Sequence, residues 1–292
     1  MSAYSQQSNN IFKTWLLIFL FVGLVSGLFY GLAYYYNNPF WAVFGLIMSL
    51  GQAFGAYFFG DKIALWVARA EEIGYEQAPQ LHHMVENLSK IADIPKPKIY
   101  ISPDQSANAF ACGRDPKHAS ICLNQGLLDI LNKNELEGVV AHELGHIKNR
   151  DILIMTVVMV LASLVSFIAD IGGRLMIYNH DRNRNNKSPI MILLYLVTLM
   201  LAPLVALLIQ LAISRSREYL ADATAVTITR YPEGLIQALQ KLYHNPVPTD
   251  RYATSMNHFY IAPVKKSWGQ KTSELFSTHP SIEDRIAALS KM

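Results

Sequence analysis

The sequence predicts a mostly helical α+β fold: a small β-sheet and its helices, attached to four apolar helices of membrane-spanning length. Three observations carry that reading. Charge-free apolar runs recur along the chain. Short strand-like stretches punctuated by turns lie between the second and third runs. An amphipathic helix follows them and runs straight into the third apolar run.

The apolar runs come first. Thr14–Tyr36, Pro39–Gly60 and Pro189–Ile213 each hold 22 to 25 residues without Asp, Glu, Lys or Arg, and Ile152–Ala169 adds 18 more before Asp170. A helix crosses a hydrocarbon core of about 30 Å with about 20 apolar residues, so three runs are long enough and the fourth is marginal. A buried core helix is the alternative for each. Composition favours the membrane: 51% of residues are hydrophobic and 16% charged, against roughly 25% charged in soluble domains. The first run reads as a retained anchor, because only Lys13 stands just before it, it exceeds a signal peptide's apolar core, and a second run follows at once.

These runs divide the chain into a hairpin (1–60), a polar block (61–151), a second hairpin (152–213) and a second polar block (214–292). Asn37-Asn38-Pro39 turns the first hairpin. The first block opens with a helix over Leu81–Ala92, ended by Pro95 and Pro97. Strands are expected at Lys98–Ser102, Asn108–Gly113 and Ala119–Leu123, with turns at Ser102-Pro103-Asp104 and Gly113-Arg114-Asp115-Pro116. Leu136, Val139 and Val140 mark the apolar face of a helix over Glu135–Asp151. Arg174–Ser188 reads as a polar loop, Ser214–Arg230, Pro232–Leu242 and Ser281–Leu289 as helices, and Asn245–Lys271 as irregular. There is no internal repeat.

Net charge is +3 with a pI near 8.7, too mild to argue for a nucleic-acid partner. The basic residues instead collect beside the apolar runs, at Lys62, Arg69, Lys148, Arg150, Arg215 and Arg217, where they can hold the polar blocks against an anionic lipid bilayer. Seven Lys or Arg flank the runs on the side of the polar blocks, against four on the other side, which favours a cytoplasmic position for those blocks. Cys112 and Cys122 lie ten apart with no CxxC, and read as reduced structural residues.

The chemistry lies in His142-Glu143-Leu144-Gly145-His146. Residues four apart share a helix face, so His142 and His146 can reach one metal ion, and neutral imidazoles suit Zn²⁺. Glu143 is rotated about the axis, so its carboxylate reaches a water activated at the metal rather than the metal itself. A catalytic zinc keeps three protein ligands. Glu218, 72 positions after His146 and at the foot of the last apolar run, is the best third ligand. Spacing alone leaves it equally open that Glu218 pairs with Arg215 or another base. Asp222, four residues on, shares its face and can orient an imidazole through a hydrogen bond.

Four segments together, Asn108-Ala109-Phe110-Ala111, Glu137–Asp151, Ser214–Asp222 and Ser277-Thr278-His279-Pro280-Ser281, resemble the HtpX family of membrane zinc endopeptidases. The similarity spans nearly the whole chain, with no departure at a metal position. It implies a gluzincin-type metalloprotease domain, divided between 61–151 and 214–292 by the second hairpin, with Glu218 as third zinc ligand. It also implies a cytoplasm-facing site in a bacterial inner membrane, and the degradation of misfolded or damaged membrane proteins beside other quality-control proteases. Asn108–Ala111 is then an edge strand that pairs with substrate backbone, the alternative being an ordinary hairpin strand. His279, before the helix that carries Arg285, would lie near the cleft and stabilise an oxyanion, the alternative being a cap or packing residue. The remaining histidines fit no ligand spacing.

Two other classes are weaker. A non-proteolytic membrane chaperone or scaffold with a structural zinc needs a fourth ligand, which has no convincing position, and leaves Glu143 without a purpose. A solute transporter should carry charges inside its spans, and three of the four runs carry none, while the fourth ends against Asp170.

Overall fold

The computed structural model describes residues 3–160, 215–244 and 280–292. Helices α1 (Ala3–Tyr35) and α2 (Phe40–Val67) form an antiparallel hairpin. Asn37 makes the turn in a left-handed conformation, at φ 48°, one that Asn tolerates better than most side chains. Both helices are apolar all round, and each is long and apolar enough to cross a membrane. Most of their aromatic residues point outward, Phe21 being a buried exception, with Phe19 74%, Tyr34 85% and Trp66 79% exposed.

Two of the four expected spans therefore fall among the described residues. Of the third run, only residues 152–160 are described; they are helical, and all but Val160 are buried inside the protein. The fourth run, the polar loop Arg174–Ser188 and the stretch Asn245–Lys271 lie outside the described residues.

The polar blocks build on a four-stranded sheet of order β1-β2-β4-β3, formed by β1 (Glu71–Glu72), β2 (Lys98–Ser102), β3 (Ala109–Gly113) and β4 (Ala119–Asn124). β2 and β4 are parallel, while β3 pairs antiparallel with β4 and forms one edge. Both faces are covered, so β3 and β4 are buried at every position. Ile99, Ala109, Ala111, Ile121 and Leu123 face a core shared with α3 (Pro79–Ala92) and α5 (Lys133–Lys148). Phe110, Cys112 and Cys122 face the opposite way, toward α1, α2 and residues 152–160. Period-two alternation thus separates two apolar clusters rather than core from solvent. The two thiols stay unbonded, and burial pushes both above their ordinary pKa.

Helix α5 is the spine of the second core. Asn132 and Glu135 form a reciprocal capping box at its N-terminus, and Lys241 joins Glu135 at 2.8 Å. The helix does not run on through Asp151, as the sequence suggests. It stops at Lys148, Arg150 turns left-handed at φ 57°, and a new helix begins at residue 152. Helices Arg215–Thr229 and Pro232–His244 pack across α5, and Ile282–Leu289 closes over them. Short α4 (Gln125–Ile130) and β1 lack a sequence signal strong enough to predict.

Candidate active site

His142 and His146 sit on successive turns of α5, and both are buried. Their Nε2 atoms are 3.1 Å apart. The helix Arg215–Thr229 brings Glu218 against them, with Oε2 3.8 Å from Nε2 of His142 and Oε1 3.9 Å from Nε2 of His146. Gly145 permits that crossing, since a Cβ there would lie 3.0 Å from the carbonyl oxygen of Ala221.

This donor set fits a metal ion. Four donors arranged tetrahedrally about 2.0–2.1 Å from a centre lie roughly 3.3 Å from one another. Ligand atoms of His142, His146 and Glu218 all fall within 4.8 Å of one another. Each imidazole is also oriented from behind, leaving Nε2 to face the shared point. Asp222 Oδ1 lies 2.9 Å from Nδ1 of His142, and Asp151 Oδ2 lies 3.1 Å from Nδ1 of His146.

Charge points the same way. Glu143, Asp151, Glu218 and Asp222 are each at most 5% exposed, and among the described residues the buried cations beside them are Arg217 and Arg285. Among the described residues, four carboxylates and two guanidinium groups meet there, an acidic excess in low dielectric that a bound divalent cation would offset. Arg285 is the better placed cation, binding Asp222 through Nε at 2.9 Å and through a second nitrogen at 2.6 Å, with Glu218 at 3.6 Å. Burial works against ionising both members of that pair. Their mutual attraction outweighs it, holding the Asp222 carboxyl below the usual carboxylate range and the Arg285 guanidinium above its own. Burial also lowers the His146 imidazole, but the charge and hydrogen bond of Asp151, with Glu218 and Glu143, push it up to about 10.

Glu143 stands between the imidazoles and the sheet edge. Burial pushes its carboxyl up, while the two imidazoles and a hydrogen bond from the Ala111 N–H oppose that rise. Asn124 donates to the carbonyl of Asn108, so the even-numbered backbone groups of β3 turn toward β4. Those of Ala109, Ala111 and Gly113 turn outward. Of Asn108, Ala109, Phe110 and Ala111, it is therefore Ala109 and Ala111 that present backbone to the edge that no strand among the described residues occupies, at the level of Glu143.

The sequence carries no signal that assigns Asp151 a role, and it introduces Arg285 only as part of the helix that follows His279. His279 lies outside the described residues.

Residues 75–292 match the model for peptidase family M48. The chain belongs to peptidase family M48. A protein named Protease HtpX homolog from Tropheryma whipplei strain Twist is 42% identical over 296 residues, covering 99% of this chain and 98% of that one. One of the same name from Streptococcus equi subsp. zooepidemicus strain MGCS10565 is 45% identical over 257 residues, covering 86% of each. Among solved structures, Ste24p of S. mikatae superposes with a TM-score of 0.49 at 19% identity, over 98% of this chain and 67% of that one. This M48 chain is a metalloprotease, and its His-His-Glu cluster offers the site for the metal ion.

Proposed function

We propose that the chain is a membrane-integrated zinc endopeptidase that hydrolyses peptide bonds of misfolded or damaged membrane proteins. The observation that carries the reading is the convergence of His142, His146 and Glu218 on one point, each imidazole backed by its own carboxylate, with Glu143 left outside that ligand set. Bound there, zinc supplies a Lewis acid for the substrate carbonyl and lowers the pKa of a water in the site. Glu143 takes a proton from the attacking water and passes it to the leaving nitrogen. Its raised pKa suits both halves of that task. Asp222 and Asp151 hold the imidazoles in the tautomer that presents Nε2, and Arg285 keeps Asp222 ionised. Substrate adds as a strand along Asn108–Ala111, through the outward backbone of Ala109 and Ala111. His279 would serve as an oxyanion donor.

Hairpin 1–60 and segment 152–213 anchor a catalytic domain divided between 61–151 and 214–292. The outward aromatic residues of α1 and α2 support a bilayer around them. The basic residues beside the apolar runs favour a cytoplasmic site in a bacterial inner membrane, where other quality-control proteases would share its substrates.

The test is Glu143→Gln in the full-length protein in detergent. Turnover of unfolded casein should fall on the order of 10³-fold, while metal analysis still finds about one zinc per chain. Cleavage at the unaltered rate would remove Glu143 from the mechanism, and loss of zinc would make it a ligand.

A further inference from the structure

Among the described residues no strand pairs with the outer edge of β3, and that edge is not uniform along its length. At Gly113 the hydroxyl of Thr156 accepts from the N–H at 2.9 Å and donates to the carbonyl oxygen at 3.3 Å. An antiparallel neighbour makes the same two bonds to a residue with which it forms a hydrogen-bonded pair. Thr156 thus stands where a further strand would continue, and it is buried.

This use of a helical threonine is particular to the position. The other helical threonines among the described residues, Thr14, Thr224, Thr227 and Thr229, bond to the carbonyl four residues back, at 2.7 to 2.9 Å. Thr156 turns its hydroxyl onto a strand 43 positions away. Its methyl group meets α2, where a Cβ on Gly60 would lie 2.7 Å from Cγ2. Helix α2 therefore backs the hydroxyl. Gly113 itself has φ +140°, a conformation side chains rarely adopt, and a Cβ there would strike the backbone of His118. Two residues earlier the edge is different in kind, because the Ala111 N–H meets the carboxylate of Glu143. A carboxylate that must work on substrate can release that donor. A buried hydroxyl bonded to both polar groups of one residue has no such reason to leave.

We propose that Thr156 is a register stop for substrate: it takes the place of a neighbouring strand at Gly113 and confines backbone pairing to Ala109 and Ala111. The proposal rests on the reading of β3 as the substrate-pairing edge. A peptide then lies in the sheet on the Ala109 side of the scissile bond and leaves it on the Gly113 side, so specificity is asymmetric about the cleaved bond. Thr156 acts on substrate through Gly113, as a positioning residue.

The test uses the full-length zinc-loaded enzyme and a fluorogenic peptide it cleaves, with single N-methyl groups scanned along the peptide backbone. An N-methyl residue cannot donate to a strand carbonyl. N-methylation of the residue paired with Ala111, and of the one two positions further on the Ala109 side, should each lower kcat/KM about tenfold. The residue two positions away on the Gly113 side should tolerate it. Thr156→Val, which keeps the shape and removes the hydroxyl, should raise KM several-fold with kcat little changed, and Thr156→Ser should restore the unaltered values. Equal sensitivity on both sides of the scissile bond would overturn the register stop and leave the edge-strand reading intact. No sensitivity anywhere would overturn the edge strand itself. Thr156→Val with unchanged KM would remove Thr156 from substrate positioning.

Discussion

His142 and His146 stand four residues apart on one helix, yet they are supported from opposite directions. His146 is backed by Asp151, five residues on, which reaches its Nδ1 because Arg150 turns the chain left-handed at the end of α5. His142 is backed by Asp222 from another helix, and Asp222 by Arg285 from a third, 63 residues further along. One support comes with the local folding of α5; the other exists only when the second polar block has closed over the first. The site is thus half preformed and half assembled, and Glu218 joins the halves by touching both imidazoles.

Removing the joint should have the largest effect. Glu218→Ala takes away a donor rather than its support, so metal affinity should fall beyond the roughly 10–100-fold typical of an outer partner. Dialysis against a competing chelator, followed by metal analysis, measures it. Metal held as tightly as in the unaltered protein would mean the third donor is another residue.

The two supports should then separate by stability. Asp222→Ala and Asp151→Ala should each weaken metal binding by roughly 10–100-fold. Asp222→Ala also leaves Arg285, which cannot shed its charge, buried without its doubly bonded partner, a loss of about 3–5 kcal/mol. His146, by contrast, can release its proton when Asp151 is removed, so at pH 8.5 the Asp222 variant should melt well below Asp151→Ala. Equal melting temperatures for the metal-free variants would mean the two supports are alike.

Proton competition sharpens the contrast. The His146 imidazole is raised by Asp151, so it carries a proton at neutral pH that an incoming metal ion must displace. A ligand protonated below its pKa binds metal more tightly as pH rises, by about tenfold per pH unit from this one group. Competition titrations between pH 6.5 and 8.5 should show that slope, and Asp151→Asn should flatten it. Asp222, held ionised by Arg285, should contribute no slope there. An unaltered slope in Asp151→Asn would place the displaced proton elsewhere.

The same division governs how much the sequence made legible. Strands β2 to β4 and helices α3 and α5 follow from local pattern and turn residues, and the structure places them within a few residues of expectation. The pairing of His142 with His146 was legible because they share one helix face at i and i+4. Spacing left Glu218 open; the family resemblance implied its place, and the structure brings it to both imidazoles. Asp151 was not legible, because the left-handed residue that aims it is Arg150, a type that rarely takes that conformation, while the adjacent Asn149 stays right-handed. The doubly bonded pair of Arg285 with Asp222 is a tertiary contact with no local signal at all. The burial of residues 152–160 was hidden for a related reason: an apolar helix reads the same whether its surroundings are lipid or protein.

The smallest effect should come from a change that breaks neither support. Asn132 accepts from the Glu135 N–H at 3.1 Å, and Glu135 accepts from the Asn132 N–H at 2.8 Å, closing the N-terminus of α5 nearly three turns before His142. Asn132→Ala removes one of those bonds and leaves a donor unpaired, a loss of about 1 kcal/mol for an N-cap. The Glu135 carboxylate keeps Lys241 at 2.8 Å, so the helix stays tied to Pro232–His244. Both imidazoles ride on the same helix and should feel the change equally. Melting should therefore drop by a few degrees, about 2–4 °C per kcal/mol in a domain of this size, with metal affinity and kcat/KM at 25 °C within twofold. A variant that melts normally but binds metal weakly would show that the cap shapes the site rather than the helix, and the two supports would not then be the whole of what orients the imidazoles.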